Sequence, residues 1–168
     1  IWDVRARNKE QAFALDILMN PEIAVISLVG RAGCGKTLCA IAAGMEQCLS
    51  SKDYKKLIVS RPVQPMGKDI GFLPGTLEEK MMPWLAPIRD NLEFLMSGDK
   101  DTLDMYLERG LIEIEALTYI RGRSIANAFI IIDEAQNLTS HELKTIITRV
   151  GEGTKIVLTG DIEQIDNV

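Results

Sequence analysis

A chain of 168 residues holds one domain with a sizeable core and is too short for two comfortable ones. Its 46% apolar and 26% charged residues exclude a disordered chain, and no apolar run approaches the roughly 18 residues of a membrane span. A formal net charge of −5 argues against a broadly basic, general nucleic-acid binder. In chain order, the apolar run Ile23 to Val29 predicts a strand buried on both faces of a parallel sheet. Lys36 to Leu49 follows as a helix, with Leu38, Ile41, Met45 and Cys48 at helical spacing. Leu57 to Ser60 is the second strand. From Arg61 onward Pro62, Pro65, Gly67, Gly71, Pro74 and Gly75 predict a loop. Thr76 and Glu79 suit a helix cap, but Pro83 and Pro87 should kink or divide that helix before Ile88, Leu92, Leu95 and Met96 resume the pattern. Asp99, Asp101 and Asp104 fall short of a calcium loop and read as acids in the first turn of a helix that ends near Arg109. Leu111 to Leu117 and Phe129 to Ile132 are further strands. Thr139 and Glu142 form a capping box for a helix carrying Leu143, Ile146, Ile147 and Val150, with Gly151 as its stop, and Lys155 to Thr159 is the fifth strand. This alternation predicts an α/β fold with a mainly parallel sheet, one domain over residues 1–168 with a helical insertion at about 61–110. A chain that opens on Ile1 is expected to be a piece of a longer one.

Cys34, Cys39 and Cys48 are odd in number and include no C-x-x-C pair, so reduced thiols in a cytoplasmic protein are expected rather than disulfides or a zinc site. His141 is the only histidine, which leaves a His-rich metal site or a Ser-His-Asp triad without partners; a histidine near a helix start is the simpler reading.

The chemistry concentrates in two segments. Gly30-Arg31-Ala32-Gly33-Cys34-Gly35-Lys36-Thr37 matches G-x-x-x-x-G-K-[ST] between a predicted strand and a predicted helix, the context the motif requires. Its glycines let the backbone wrap phosphates, so that N–H groups and the helix N-terminus, with Leu38 in the first turn, face negative charge. Lys36 should reach the β- and γ-phosphates and Thr37 should hold Mg²⁺ through its hydroxyl. A plain strand-to-helix turn would explain the glycines but not the Lys-Thr pair. Asp133 and Glu134 end the strand at Ile132 and can deliver carboxylates beside that loop: Asp133 for the metal, Glu134 for orienting and deprotonating water. Two acids opening a helix is the alternative, outweighed by the loop earlier in the chain. No N-K-x-D guanine reader occurs, so adenine is the expected base, and Gln11 offers a two-bond amide edge for it unless it is merely a solvated helix residue.

Further segments make the chain recognisable: Ser60-Arg61-Pro62, Ile70-Gly71-Phe72-Leu73-Pro74-Gly75, Pro83-Trp84-Leu85-Ala86-Pro87-Ile88, Arg121-Gly122-Arg123-Ser124-Ile125, Ile132 to Asn137, and Thr159-Gly160-Asp161 with Gln164-Ile165-Asp166. Together with the phosphate loop they resemble the ATPase domain of PhoH-like proteins, P-loop proteins related to superfamily 1 helicases, over essentially the whole chain. The resemblance implies a three-layer, RecA-like P-loop NTPase fold and ATP binding and hydrolysis of helicase type with Mg²⁺. It gives Gln11 the place of the adenine-reading glutamine, Gln164 that of the γ-phosphate sensor, and Arg61 that of a nucleic-acid-facing element. It also implies single-stranded RNA as partner, a homo-oligomer such as a hexameric ring, and, in the branch this chain looks closer to, an N-terminal PIN nuclease domain in the same parent chain. Cys34 stands where Thr is common in the family, which should matter little because the backbone N–H does the work. Arg121, Arg123 and Arg149 are candidates for RNA or for a neighbouring subunit's ATP, each weighed against a plain solvated surface charge; Arg-Gly-Arg-Ser spacing favours Arg121 and Arg123. An RNA motor is the leading reading, and a non-motor ATP switch that gates a partner is the rival.

The net charge is unevenly spread. Between residues 90 and 115 Asp90, Glu93, Asp99, Asp101, Asp104, Glu108, Glu113 and Glu115 face only Lys100 and Arg109, a local balance of −6 that leaves +1 for the remainder. The acidity therefore belongs to one region and leaves room for local RNA contact without a broad basic funnel.

Overall fold

Five short runs rich in β-branched residues pair into one sheet in the computed structural model, which describes residues 2–62, 77–117 and 124–161. The strands are β1 (Val25–Val29), β2 (Lys56–Arg61), β3 (Ile112–Ala116), β4 (Ala128–Ile132) and β5 (Lys155–Gly160), in the spatial order β1-β5-β4-β2-β3. Every pairing is parallel. All strands therefore end at one edge of the sheet. There β1 runs into the glycine loop, β2 ends at Arg61, β4 at the acid pair and β5 at Gly160 and Asp161.

Helices cover both faces, which makes three layers. One face carries α1 (Lys9–Met19), α2 (Lys36–Met45, prolonged by a π-helical turn over Glu46–Ser50), α3 (Leu77–Leu95) and α4 (Lys100–Glu108). Their Leu18, Ile41, Met45, Leu85, Ile88, Leu92 and Leu103 join Leu57, Val59, Phe129, Ile131 and Val157 in one buried cluster. The opposite face carries α5 (Ser140–Arg149), whose Ile146 packs with Ile58, Ile130, Ile132 and Ile156. Its predicted capping box is present, with Thr139 Oγ1 accepting from Glu142 N at 3.1 Å. α2 presents small residues to the sheet. A Cβ on Gly44 would stand 2.7 Å from Leu57 Cδ1 and 3.0 Å from Phe129 Cδ1, so a larger residue there would have to push those side chains aside.

Three expectations change. β1 is an edge strand and is not buried on both faces: Ile26 is buried under the helices, but Val25 and Val29 are 50% and 58% exposed. They share the face of Ile156, which α5 covers farther along the sheet but not at its rim. α3 is not divided by its prolines. Pro83 and Pro87 are four residues apart and both exposed, so the carbonyls that lose an N–H partner lie on the solvent side, where water replaces it. The helix predicted over Lys36 to Leu49 is α-helical only to Met45. Thr76 of the expected cap lies outside the described residues, as do Arg121, Arg123 and Gln164.

Part of the acidic region is held by ion pairs and a helix cap. Arg89 on α3 binds Glu93 at 3.2 Å and Asp104 of α4 at 2.5 Å, and Lys56 of β2 binds Glu113 of β3 at 2.9 Å. Asp99 caps α4 by accepting from Thr102 N and Oγ1, bonds that hold its carboxyl below the usual range. Among the described residues no cluster of three or more His, Cys, Asp or Glu is placed to hold a metal. Cys39 and Cys48 are buried and burial raises both thiols, Cys48 to about 12, whereas Cys34 is exposed. His141 is the second residue of α5 and is exposed.

Lys155, fully buried at the start of β5, donates from Nζ to the carbonyls of Leu18 and Asn20, both at 2.7 Å, and so closes the C-terminal end of α1. Burial lowers its pKa from 10.5 to about 8. Between those values the unfolded chain keeps a proton that the folded chain has released, so this group makes stability rise with pH. Urea unfolding of the wild type and of Lys155→Met should therefore diverge in the wild type's favour as pH climbs from about 8 toward 10. A constant difference would show that Lys155 does not titrate there.

Candidate functional site

The sheet edge gathers the two motif halves. The phosphate loop closes through Cys34 N to Arg31 O at 3.4 Å, and Gly33 and Gly35 hold φ of +79° and +82°, left-handed values that side chains with a Cβ resist. Gly35 directly precedes α2, so the N–H groups of the first turn are presented at the loop. Lys36 folds back over it, donating from Nζ to the carbonyls of Gly30 at 2.7 Å and Arg31 at 2.8 Å. From the second residue of α2, Thr37 Oγ1 donates to Asp133 Oδ1 at 2.9 Å, although 96 residues separate them. Thr159 Oγ1 on β5 donates to the same oxygen at 2.9 Å. This works because β5 lies between β1 and β4, so its last residues separate the loop from the acid pair.

Glu134 follows in the left-handed region at φ 55° and ψ 39°, a strained backbone for a residue with a side chain. Its carboxylate accepts from Gln136 Nε2 at 2.5 Å and from Arg61 Nη2 at 3.3 Å. Gln136 Oε1 in turn accepts from Asp161 N at 3.1 Å, and Asp161 Oδ2 accepts from Ala32 N of the phosphate loop at 2.9 Å. A continuous polar chain thus links the loop to Glu134. Thr159, Asp161 and Gln136 are members of this site that sequence reasoning does not assign, although each stands inside a segment that carries the family resemblance.

Arg61, to which the resemblance gives a nucleic-acid-facing place, has a side chain 19% exposed, with Nη2 3.2 Å from Asp133 Oδ2 and 3.3 Å from Glu134 Oε1. Two carboxylates at the end of the adjacent strand lie within ion-pair reach of it.

The cleft between these groups has a volume of about 270 Å³ and is lined by the loop, Asn91 of α3, Asp133, Glu134 and Asp161. A second hollow of about 310 Å³ lies across Cys34, Gly35 and Lys36, walled by Phe13, Ile17, Leu28 and Val29. Gln11 stands beside it. Its Nε2 donates to Cys34 O at 2.9 Å and its Oε1 accepts from Arg7 N at 2.8 Å, so the amide braces the loop against α1. A phosphate-sized cleft beside an apolar slot suits a nucleoside polyphosphate better than either hollow suits a ligand alone.

A family model described as PhoH-like protein matches residues 3–168. Protein PhoH2 of Bacillus subtilis is 59% identical over 169 aligned residues, which take in 99% of this chain and 38% of that one. Protein PhoH2 of Mycolicibacterium smegmatis is 43% identical over 100% of this chain and 38% of its own length. The chain thus spans about two fifths of these curated relatives. Two solved structures share the fold at low identity. The large terminase of a thermophilic bacteriophage has a TM-score of 0.56 at 12% identity, covering 93% of this chain and 39% of its own. The SWI2/SNF2 ATPase core of Sulfolobus solfataricus, solved in complex with dsDNA, has a TM-score of 0.53 at 17% identity, covering 93% and 32%.

Proposed function

Because the chain belongs to the PhoH-like protein family, we propose that it is an ATP-binding and ATP-hydrolysing domain working as the motor of an RNA helicase or translocase with Mg-ATP. The observation that carries this reading is the meeting of Thr37 with Asp133 at 2.9 Å beside a lysine-bearing glycine loop. That geometry brings the hydroxyl and the carboxylate of the two motifs to one point.

The donor set fits Mg²⁺. Thr37 and Asp133 offer hard oxygens that meet at 2.9 Å and would hold the ion. When bound, the ion neutralises charge on the β- and γ-phosphates. The chain's residues do the rest. Backbone N–H groups of the loop and of the first turn of α2 hold the phosphates. For this the amide of Ala32 has to exchange Asp161 for a phosphate oxygen. Lys36 leaves the carbonyls of Gly30 and Arg31 for the β- and γ-phosphates, replacing neutral acceptors by charged ones. Glu134 accepts the proton of the attacking water at a carboxylate oxygen, while Gln136 holds the other oxygen and fixes its direction. The base enters the slot beside Phe13, and Gln11 reads its edge by exchanging one of its two present bonds.

The finer parts of the proposal rest on the family resemblance: Gln164 as γ-phosphate sensor, Arg121 and Arg123 as RNA contacts, a homo-oligomer that shares ATP sites, a PIN domain in the parent chain and a cytoplasmic setting. Among the described residues no helix is long and apolar enough to cross a membrane. Turnover of ATP by the full-length protein should rise severalfold on adding single-stranded RNA, and RNA binding should weaken with salt. If neither occurs, the motor gives way to an ATP switch that gates a partner.

A further inference from the structure

Arg61 occupies a position that a nucleotide site does not require for binding phosphate. It leaves β2 at the end beside β4, where Ser60 and Ile132 are in register and Asp133 N donates to Ser60 O at 2.8 Å. One arm of its guanidinium, Nη2, lies 3.2 Å from Asp133 and 3.3 Å from Glu134. The other arm, Nη1, donates to the Trp84 carbonyl of α3 at 3.1 Å. The same side chain therefore touches the residue that would hold the metal, the residue that would activate water, and α3. Its Nε is buried and finds no hydrogen-bond partner among the described residues.

We propose that Arg61 is a positioning residue that competes with the divalent cation: it holds Asp133 and Glu134 while no metal is bound, and metal–nucleotide loading moves it off Asp133 and alters its hold on α3 at Trp84. The reason is electrostatic. Asp133 Oδ1 is taken by two hydroxyls and Oδ2 faces the guanidinium, so an arriving divalent cation meets a like charge across one carboxylate. Because the guanidinium is a rigid fork, displacing one arm disturbs the other. Glu134 loses a partner in the same event and keeps Gln136, which leaves its Oε1 open toward the cleft. Binding at the metal site and the position of α3 are then linked, and the linkage must run both ways.

This inference rests on the reading of Asp133 as the metal residue, and the experiment separates the two. With the full-length protein and saturating ADP, Mn²⁺ binding is followed by its paramagnetic resonance, and hydrogen–deuterium exchange is read in the peptide covering residues 83–95. The wild type should bind Mn²⁺–ADP and change its exchange in that peptide. Arg61→Ala, and Arg61→Gln, which keeps a shorter polar side chain without the charge, should bind Mn²⁺ about tenfold more tightly, the scale of an ordinary coupling between sites, and lose the exchange response. Arg61→Lys keeps the charge without the fork, so its Mn²⁺ affinity should stay near the wild type while the exchange response is lost. Unchanged or weakened Mn²⁺ binding in the two neutral variants, or an exchange response that survives in them, overturns the role of Arg61 alone. A wild type that does not bind Mn²⁺–ADP overturns the nucleotide reading and this inference together.

Discussion

Replacing Glu134 with Gln should lower ATP turnover about 10³-fold, within the range expected for losing a general base, and leave Mg-ATP affinity within about threefold. The substitution keeps the volume and one acceptor oxygen, so of its two present donors, Arg61 Nη2 and Gln136 Nε2, one keeps its bond and the other loses it. What is lost is the ability to take a proton from water. The strained backbone at φ 55° supports this assignment: a side chain held in the left-handed region at a cost of about 1–3 kcal/mol sits where it does because the surrounding contacts dictate it. The measurement is a single-turnover assay alongside equilibrium binding of a fluorescent ATP analogue. Retained turnover would remove Glu134 from the proton-transfer step and leave Asp133 as the residue to test next.

Lys36→Ala acts at an earlier stage and should weaken nucleotide binding about 100-fold. Lys36 carries the one ammonium within the loop, and charge-assisted hydrogen bonds to phosphate contribute about 1.5–3 kcal/mol each. The fold should tolerate the change, because its bonds to Gly30 and Arg31 end on carbonyls at a half-open loop. Thermal denaturation separates the effects. At 100 times the wild-type dissociation constant ATP should stabilise the wild type by about 2.7 kcal/mol and Lys36→Ala by far less, with the ligand-free midpoints similar. An equal shift in both proteins would mean that the backbone cradle alone carries the affinity. Comparing the two variants is informative in itself: Lys36→Ala should fail at binding, whereas Glu134→Gln should fail after it.

The placement of Arg61 shows what a residue's neighbours in space add to a motif. Its segment, Ser60-Arg61-Pro62, carries part of the family resemblance, which implies a role in facing nucleic acid. In the fold it lies against two carboxylates and a helix carbonyl. A severalfold RNA stimulation of turnover would still be compatible with this inward position, since Arg121 and Arg123 remain as proposed contacts.

Much of the molecule is legible in one dimension. Strand positions follow from apolar runs, the turn chemistry of the loop from Gly33 and Gly35, the start of α5 from Thr139 and Glu142, and the phosphate and acid residues from two contiguous motifs. These signals are local, set by side-chain period, backbone freedom and capping within a few residues. What the tertiary structure decided is long-range. The strand order put β5 between β1 and β4, which brought Thr159 to Asp133 and Asp161 to Ala32 across 129 residues of sequence, and left β1 at the rim with two exposed valines. Solvent exposure let α3 pass through Pro83 and Pro87, and the meeting of β2 with β4 turned Arg61 inward. The reason is that a pattern of residues records which face of an element is apolar, while the partner of a polar group is fixed only when packing selects which elements are neighbours.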